Sequence, residues 1–361
     1  MKIIILNKSI VKHDAIGNDI EVMYKILNEN YKCVIFSEYP ENDNLSYISE
    51  QALNKELPQK DNIYIYHHSL MWQMGERILK KIEGKIIFRF HNITPSQFFT
   101  PYDVYQGELS EQGIAQTLRY IKTYKNAIWM PDSEFNVNDI PGVAREKIIV
   151  CYPFQKIEEW AKTKDNLSTK SKLINSGKIN LLFVGRIVPN KGYLFLLRCL
   201  KVFIMSYHSN IKLNIIGKFN EGLVEYNKRI IKTIQEYELQ NNIEFIGEIT
   251  DEILATYYRN SDFFVCASDH EGFGVPLVEA QYFKLPIIAL NKSAVPETIG
   301  KEQLVLDKSP KEFAAAISIL NKNKQYYEFL SQKGSENYSK RYSYAVLKNI
   351  FGRIVKNIVV S

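Results

Sequence analysis

The chain is 361 residues long, which exceeds one ordinary hydrophobic core and predicts two domains. With 45% hydrophobic and 24% charged residues, it has the composition of a globular protein and not of a disordered or fibrous one. The formal net charge of +6 is mild for this length and no long run of Lys or Arg occurs, which argues against a nucleic-acid-binding arm.

Two further features bear on location. No apolar run approaches the ~20 residues that a membrane span requires, and the chain opens on a predicted strand without the regions of a secretory signal. Four widely separated cysteines form no CxxC pair and no metal-ligand spacing with histidine, so we expect them to be reduced and buried. These features predict a soluble, cytoplasmic protein, and contact with the inner face of a membrane stays open.

Short apolar runs rich in β-branched and aromatic residues alternate with helical patterns, which predicts parallel sheets built from βαβ units. Several runs are apolar at every position, as expected when helices cover both faces of a sheet. Helices are predicted over 19–28 and 70–83. The predicted strands of the first half are 2–6, 33–37, 63–68, 85–90, 127–130 and 147–152.

Residues 155–178 are polar and carry no core pattern, which indicates a linker. A helical tail is predicted from Lys311, with a break at 338–343 and an amphipathic helix over 345–359. We therefore predict Rossmann-like domains over 1–158 and 179–342, joined by a linker at 159–178. The predicted strands of the second half are 180–185, 212–217, 243–247, 263–267, 286–290 and 303–306.

Open α/β sheets bind ligands beyond the carboxyl ends of their strands, so the residues after each strand matter most. Strand 180–185 is followed by Arg186, and Lys191 opens the next helix. Two cations in one loop beside a helix N-terminus can neutralise a diphosphate, Arg in a bidentate contact and Lys as a point charge. Solvated loop charges are the alternative interpretation, but a basic pair aimed into a cleft favours phosphate binding.

The most informative stretch is 262–284, where a buried strand leads through a glycine turn to a helix that starts near Val275. Glu271 precedes the turn and Glu279 follows it in the helix. Because the same spacing of two glutamates recurs elsewhere in the chain, only the strand–turn–helix context distinguishes this pair from the others. Glycines in the turn leave backbone N–H groups for sugar hydroxyls or phosphate oxygens. A carboxylate accepts from vicinal hydroxyls, so Glu279 is a candidate ribose ligand. A surface glutamate explains it equally well.

The N-terminal half offers weaker candidates. Gly17 precedes the helix 19–28, where a glycine lets the backbone approach a phosphate, although a plain turn glycine fits as well and no GxGxxG is present. His91 follows strand 85–90, where a catalytic and a structural role are about equally good interpretations. His67 and His68 end strand 63–68, and the structural interpretation is favoured for both.

Several enzyme classes lose their support because their motifs are absent. No Asp-x-Asp occurs to anchor a metal-dependent sugar transfer. Neither GxxxxGK[ST] nor GxSxG is present, which argues against NTPase, kinase and α/β-hydrolase activities.

Three segments together resemble glycosyltransferase family 4, retaining enzymes of the GT-B fold. Segment 263–290 carries the family's E-x7-E motif as Glu271 and Glu279. In the N-terminal half, DAIGN (14–18), FRFHNITP (88–95) and PDSEFN (131–136) resemble a subset of the family. The three main segments are FVGRIVPNKGYLFLLRCL (183–200), FFVCASDHEGFGVPLVEAQYFKLPIIAL (263–290) and AVPETIG (294–300).

The resemblance implies an α/β protein of the GT-B class, with two Rossmann-like doubly wound domains facing each other across a cleft. It implies that a C-terminal helix at about 343–361 packs back on the N-terminal domain. Tyr344 stands in this helix where family members often carry Trp. Closure of the two domains is then expected to be part of the reaction.

The resemblance also implies residue roles. Arg186 and Lys191 would bind the donor diphosphate and stabilise the leaving group, and with Glu271 and His91 they are the implied catalytic residues. His91 would contact the donor sugar, and Gly17 would lie against the diphosphate. The remaining implied contacts are the sugar with Glu271, Gly272, Phe273 and Gly274, the ribose with Glu279, and the base with Ile246 and Gly247.

From this resemblance we expect a retaining, metal-independent hexosyltransferase without a cofactor. It would move a sugar from a nucleotide diphosphate sugar to a saccharide, glycolipid or other hydroxyl acceptor in bacterial surface polysaccharide or glycolipid assembly. The alternatives are another GT-B enzyme, such as a nucleotide-sugar epimerase, and a non-catalytic sugar-nucleotide-binding protein. Helix 70–83 could rest on a membrane that holds a lipid-linked acceptor, although a core-facing helix is favoured.

Overall fold

A computed structural model describes residues 1–11 and 14–360, which form two compact units. The first unit comprises Met1–Ser96, Gln106–Lys156 and the segment from Tyr342 onward. The second comprises Gln97–Tyr105 and Ile157–Arg341. The inclusion of Gln97–Tyr105 in the second unit has no counterpart in the sequence pattern, because nothing in this short segment marks a change of unit.

The first unit is built on a five-stranded parallel sheet in the order β2-β1-β3-β4-β5. Its third strand is buried at every position, including the two histidines that follow its apolar first four residues. The strand order reverses direction between the first and third strands, which makes their carboxyl ends a topological switch point. The strands are Ile3–Ile10 (β1), Cys33–Pro40 (β2), Ile63–His68 (β3), Lys85–Phe90 (β4) and Ile128–Pro131 (β5).

Helices cover this sheet. The first is capped by the Asp14 carboxylate, which accepts hydrogen bonds from the backbone at Ile16 and Gly17. The helix predicted over 70–83 is shorter, and the burial of Trp72 just before it favours the core-facing interpretation. The helices are Ala15–Asn28 (α1), Glu50–Glu56 (α2), Gln73–Leu79 (α3) and Val104–Thr123 (α4).

The strand predicted over 147–152 is wrong. The segment runs beside β5 through two backbone hydrogen bonds, from Ile149 and Cys151, but forms no strand. The reason lies in a side chain, because Arg89 donates to the Cys151 carbonyl and so occupies an acceptor that a ladder would use.

The second unit holds a six-stranded parallel sheet in the order β11-β10-β9-β6-β7-β8, with its switch point between β6 and β9. The strands are Ile179–Val184 (β6), Ile211–Ile216 (β7), Ile243–Gly247 (β8), Phe263–Cys266 (β9), Ile287–Leu290 (β10) and Leu304–Leu306 (β11). All six lie within one or two residues of the predicted runs. The helices are Ile157–Trp160 (α5), Leu167–Ile174 (α6), Tyr193–Ser206 (α7), Val224–Glu236 (α8), Asp251–Asn260 (α9), Val275–Tyr282 (α10), Val295–Ile299 (α11), Pro310–Lys322 (α12) and Lys324–Arg341 (α13).

Two segments at the unit boundaries differ in character. The predicted linker is partly helical, and it buries Leu173 of α6 against the second unit. The last helix, Tyr344–Val360 (α14), packs its apolar face into the first unit, where Phe351 meets Phe154. Ser361, the end of the predicted helix, lies outside the described residues. In the described part of the chain, no helix combines the length and apolar content of a membrane span.

Candidate active site

The second unit gathers its candidate residues beyond the carboxyl ends of β6 and β9, which flank its switch point. Arg186 and Lys191 follow β6, whereas Ser268 and Glu271 follow β9. Because β6 and β9 pair in parallel, both loops leave the same edge of the sheet. Open α/β sheets bind their ligands at such an edge.

Gly192 explains how Lys191 comes close to the loop after β9. Its backbone has a φ of +72°, and a Cβ placed on it would lie 1.9 Å from the Ala267 carbonyl oxygen. Glycine is therefore required both by the left-handed conformation and by the close approach of the two loops. This approach sets the Lys191 side chain beside Glu271.

Glu271 is held by three hydrogen bonds. Its Oε1 atom accepts from Lys191 Nζ at 2.6 Å and from Ser268 Oγ at 2.8 Å. Its backbone N–H donates to Ser293 Oγ at 2.8 Å. The structure thus joins two predicted site residues, Lys191 and Glu271, in a part-buried ion pair. Since both side-chain donors bind Oε1, the Oε2 atom keeps its capacity to accept from a ligand hydroxyl.

Arg186 differs from Lys191 in its surroundings. Its side chain is exposed, and it forms no ion pair with any residue in 1–11 or 14–360. Of the two predicted phosphate-binding cations, Arg186 therefore has no carboxylate partner among the described residues, whereas Lys191 already pairs with Glu271. A diphosphate bound by both would share Lys191 with Glu271.

The turn between Glu271 and α10 has the shape that its glycines predict. Gly274 has a φ of +90° and is the N-terminal cap residue of the helix. Phe273 is buried, and its carbonyl accepts from the Thr298 hydroxyl at 2.6 Å. Gly272 completes the turn. These contacts fix the backbone conformation, whereas sugar binding by the turn stays a prediction.

Glu279 lies on α10 and is bound by a tyrosine that the sequence analysis missed. Tyr258 Oη donates to Glu279 Oε2 at 2.6 Å. Burial raises the pKa of Glu279 to about 7, and the hydrogen bond from Tyr258 opposes this rise. A carboxyl group that titrates near neutrality at a ligand-binding edge is a candidate functional group.

Ile246 and Gly247 end β8 on the same edge of the sheet. Gly247 has a φ of +80°, and a Cβ placed on it would meet no atom within 4 Å. Its carbonyl accepts from the Gly217 N–H at 3.0 Å. The glycine is therefore required by its backbone conformation and not by packing, and the open space beside it is compatible with the predicted base site.

The first unit places Gly17 within the first turn of α1. A Cβ there would lie 2.2 Å from the Val11 carbonyl oxygen, so close packing already requires a glycine. The Gly17 N–H donates to the Asp14 carboxylate at 3.4 Å. The structure thus supplies a packing reason for this residue, and its predicted contact with a diphosphate stays a prediction.

His91 follows β4 as predicted, but both of its ring nitrogens are engaged. Nδ1 contacts Asp132 Oδ2 at 3.0 Å, and Nε2 contacts His67 Nδ1 at 2.7 Å. Asp132 also forms an ion pair with the fully buried Arg89 at 2.8 Å. An ionised Asp132 only accepts, so in neutral His91 the proton sits on Nδ1, and Nε2 accepts from His67.

This arrangement leaves His67 Nε2 as a buried acceptor without a hydrogen bond to a described residue. Burial, with the nearby His91 and Arg89, lowers the pKa of His67 well below its ordinary value, so the ring stays neutral. The contacts give His91 a structural reason for its position. The predicted contact of His91 with a donor sugar stays a prediction.

One group of side chains in the first unit has the composition of a metal site. Ligand atoms of Asp19, His67 and His91 all lie within 4.8 Å of one another. The chemistry of the group does not fit a metal, because Arg89 binds Asp19 Oδ2 at 2.9 Å and His91 uses both nitrogens. Burial alone would lower the pKa of Arg89, but Asp132 and Asp19 raise it, so this cation persists beside the group. We assign no metal to it.

The residues that the sequence did not identify form hydrogen bonds to the predicted site residues. Ser268 and Ser293 bind Glu271, and Thr298 binds the carbonyl of the glycine turn. Tyr258 binds Glu279 from another helix. Thr298 lies in segment 294–300 and Ser268 in the strand–turn stretch 262–284, so the sequence already places both near the candidate site. No sequence signal distinguishes Tyr258 from the adjacent Tyr257.

Comparison with known proteins shows which family the second unit is similar to. Residues 165–337 match the family model described as glycosyl transferases group 1. This segment is similar to the group 1 glycosyltransferases. It contains every candidate residue of the second unit, from Arg186 to Thr298.

Two curated relatives that match this part of the chain come from Staphylococcus aureus. The capsular polysaccharide biosynthesis glycosyltransferase CapH is 24% identical over 193 residues, 53% of this chain and 53% of the relative. CapM, with the same description, is 28% identical over 180 residues, 49% of this chain and 45% of the relative. The chain thus spans about half the length of these relatives.

Solved structures extend the likeness to the whole chain. The Anabaena protein Alr3699/HepE in complex with UDP and glucose aligns with a TM-score of 0.78 at 15% identity, over 99% of both chains. At this identity the likeness shows the fold alone. It confirms the GT-B fold class that the resemblance to glycosyltransferase family 4 implies.

Proposed function

We propose that this protein transfers a sugar from a nucleoside diphosphate sugar to an acceptor hydroxyl, in the assembly of a bacterial surface polysaccharide or glycolipid. The Lys191–Glu271 ion pair, at 2.6 Å beside the switch point of a domain similar to the group 1 glycosyltransferases, carries the proposal. The capsular polysaccharide relatives support the acceptor class. A cytoplasmic location remains part of the proposal.

In the proposed donor site, the cations act on the leaving group. Arg186 is exposed and uncommitted among the described residues, so it is available for a bidentate phosphate contact. Lys191 reaches Glu271 and would place one positive charge between the diphosphate and the sugar. A preorganised contact of this type is worth about 3 kcal/mol in the transition state.

Two other parts of the second unit would hold the rest of the donor. Glu279 would accept from the ribose hydroxyls, which its partly exposed position on α10 supports. The space beside Gly247 would receive the base, with backbone groups as partners. The sugar would bind Glu271 through Oε2 and the backbone of the following turn.

We further propose transfer with retention and without a metal. The bond between the sugar C1 and the diphosphate oxygen breaks while the acceptor oxygen bonds to C1 on the same face, and the acceptor proton passes to the departing phosphate. A covalent intermediate on Glu271 is disfavoured, because Lys191 and Ser268 both donate to its carboxylate and weaken it as a nucleophile.

A donor screen tests the proposal. Binding of UDP-, GDP-, ADP- and TDP-sugars is measured by calorimetry, and hydrolysis or transfer is followed for each donor that binds. We expect one nucleotide class to bind and to be consumed, and NMR of the product to show the anomeric configuration of the donor. Binding without turnover for any acceptor would favour a non-catalytic sugar-nucleotide-binding protein, and an inverted product would refute retention.

A further inference from the structure

Tyr258 occupies a rigid position behind the candidate ribose site. It lies on α9, and its side chain is 1% exposed. Its ring is parallel to those of Phe264 and Phe283, with interplanar angles of 12° and 10° and centroid distances of 6.0 and 5.3 Å. Rings packed in this way leave the tyrosine little freedom, so the direction of its hydroxyl is fixed.

The fixed hydroxyl is aimed at Glu279. Tyr258 Oη lies 2.6 Å from Glu279 Oε2, and 3.4 Å from the Pro276 carbonyl oxygen. Since a hydroxyl donates one hydrogen, the short contact to the carboxylate takes it. Burial and the neighbouring carboxylate raise the pKa of Tyr258 well above its ordinary value, so the hydroxyl remains a donor at any working pH.

The hydrogen bond from Tyr258 uses one of the two oxygens of the Glu279 carboxylate. Oε2 accepts from Tyr258, while Oε1 accepts from no donor in the described residues. The other charged group that acts on Glu279 is Asp251 at the start of α9, which repels it and supplies no donor. Accepting from two vicinal hydroxyls requires a carboxylate with a defined plane, and residues behind a binding group supply that definition.

We propose that Tyr258 is a positioning residue, whose hydroxyl holds the Glu279 carboxylate in the orientation that accepts from the vicinal hydroxyls of a ribose. The inference rests on the proposed function, because the ribose belongs to the nucleoside diphosphate of the donor. It assigns to α9 a part in donor recognition, through a residue that itself touches no ligand.

The test combines a change in the protein with a change in the ligand. Calorimetry measures the affinities of UDP and 2′-deoxy-UDP, and of GDP and 2′-deoxy-GDP, for wild type, Tyr258→Phe and the matched control Tyr257→Phe. Tyr257 is the neighbouring buried tyrosine on α9, and its hydroxyl has no hydrogen bond to a described residue.

We expect wild type to prefer the ribose nucleotide over its deoxy analogue by about tenfold, the size of one hydrogen bond to a charged group. Tyr258→Phe should weaken binding of the ribose nucleotide by a similar factor and weaken the 2′-deoxy analogue, which keeps only the 3′-hydroxyl, much less, so that the preference is largely lost. Tyr257→Phe should keep the wild-type preference. A merely structural loss would weaken both nucleotides equally, and that result would overturn the inference.

A second variant covers the case in which Tyr258→Phe folds poorly because Glu279 loses its donor. Tyr258→Phe/Glu279→Gln removes the charge together with the hydroxyl. It should bind the ribose nucleotide as Glu279→Gln alone does, since Tyr258 acts only through Glu279. Further weakening in the double variant would refute this. If wild type binds no nucleoside diphosphate, the proposed function fails and the inference with it, whereas an unchanged ribose preference in Tyr258→Phe overturns the inference alone.

Discussion

If Glu279 binds the ribose of the donor as proposed, donor affinity should depend on pH near neutrality. Burial raises the pKa of this carboxyl to about 7, against an ordinary value of 4.5. Only the ionised form accepts from both ribose hydroxyls, because a protonated carboxyl spends one oxygen as a donor. Affinity for a nucleoside diphosphate should therefore fall as the pH drops through 7.

The size of the effect follows from the titration. With a pKa of about 7, about 90% of the carboxyl groups are ionised at pH 8 and about 10% at pH 6. If the ionised form alone makes the two-hydroxyl contact, affinity falls about tenfold over this range, or about 1.4 kcal/mol. Tyr258 opposes the rise in pKa, so Tyr258→Phe should move the fall in affinity to higher pH.

Isothermal titration calorimetry of UDP and GDP between pH 6 and pH 8 measures this fall. The terminal phosphate of the ligand also titrates near pH 6, and this titration affects wild type and Glu279→Gln alike. The quantity to follow is therefore the affinity of wild type divided by the affinity of Glu279→Gln. We expect this ratio to rise about tenfold from pH 6 to pH 8. A ratio that stays constant over this range would refute the assignment of Glu279 to the ribose.

The same titration affects stability, with the opposite sign. Because the pKa is raised in the folded state, the contribution of Glu279 is fully present below pH 4.5 and is lost as the pH rises through about 7. Relative to Glu279→Gln, wild type should lose on the order of 3 kcal/mol of unfolding free energy across this window. Urea unfolding at several pH values measures the difference, and parallel curves for the two proteins would contradict it.

Further predictions concern the cations and the glycines. Lys191→Ala and Arg186→Ala should each lower kcat about a hundredfold through lost charge stabilisation of the leaving group, and near-normal turnover in either would refute its role. Gly192→Ala should prevent stable folding, since its Cβ would lie 1.9 Å from a backbone carbonyl oxygen. The Cβ of Gly247→Ala meets no atom within 4 Å, so this variant should fold but bind nucleotide more weakly. Circular dichroism compares the folding of the two variants, and calorimetry compares their nucleotide affinities. Arg89→Leu should cost at least about 3 kcal/mol of unfolding free energy, because it leaves two buried carboxylates without their cation; denaturant unfolding measures this loss, and a cost below 1 kcal/mol would contradict the reasoning.

The strands could be predicted because each contains a short run rich in apolar residues, and such runs are typical of sheets whose two faces are covered. Segment 147–152 has the same appearance, yet it forms no strand. Arg89 takes the Cys151 carbonyl, and the buried Asp19 carboxylate accepts from the Phe154 N–H just beyond. Side chains distant in sequence thus removed backbone groups from the ladder, and no local pattern reports such competition.

At the candidate site, too, the sequence predicted some features and only the structure revealed others. Glu271 and Lys191 were identified from loops after strands, and the structure joins them, since the strand order sets β6 beside β9. Gly17 and His91 were read as ligand contacts, but a close carbonyl and two ring partners give them structural reasons as well. Their roles toward a donor remain predictions.

The sequence alone determined the alternation of strands and helices, the glycine turn before α10 and the residues that resemble the group 1 glycosyltransferases. These features are local, because they depend on periodicity, backbone freedom and motif order within a few tens of residues. Tertiary structure decided which groups form hydrogen bonds or ion pairs with each other: Tyr258 with Glu279, Lys191 with Glu271, and His67 with His91. Burial and hydrogen-bond partners set the acidity and the free lone pairs of each group, and both depend on residues brought together only by folding.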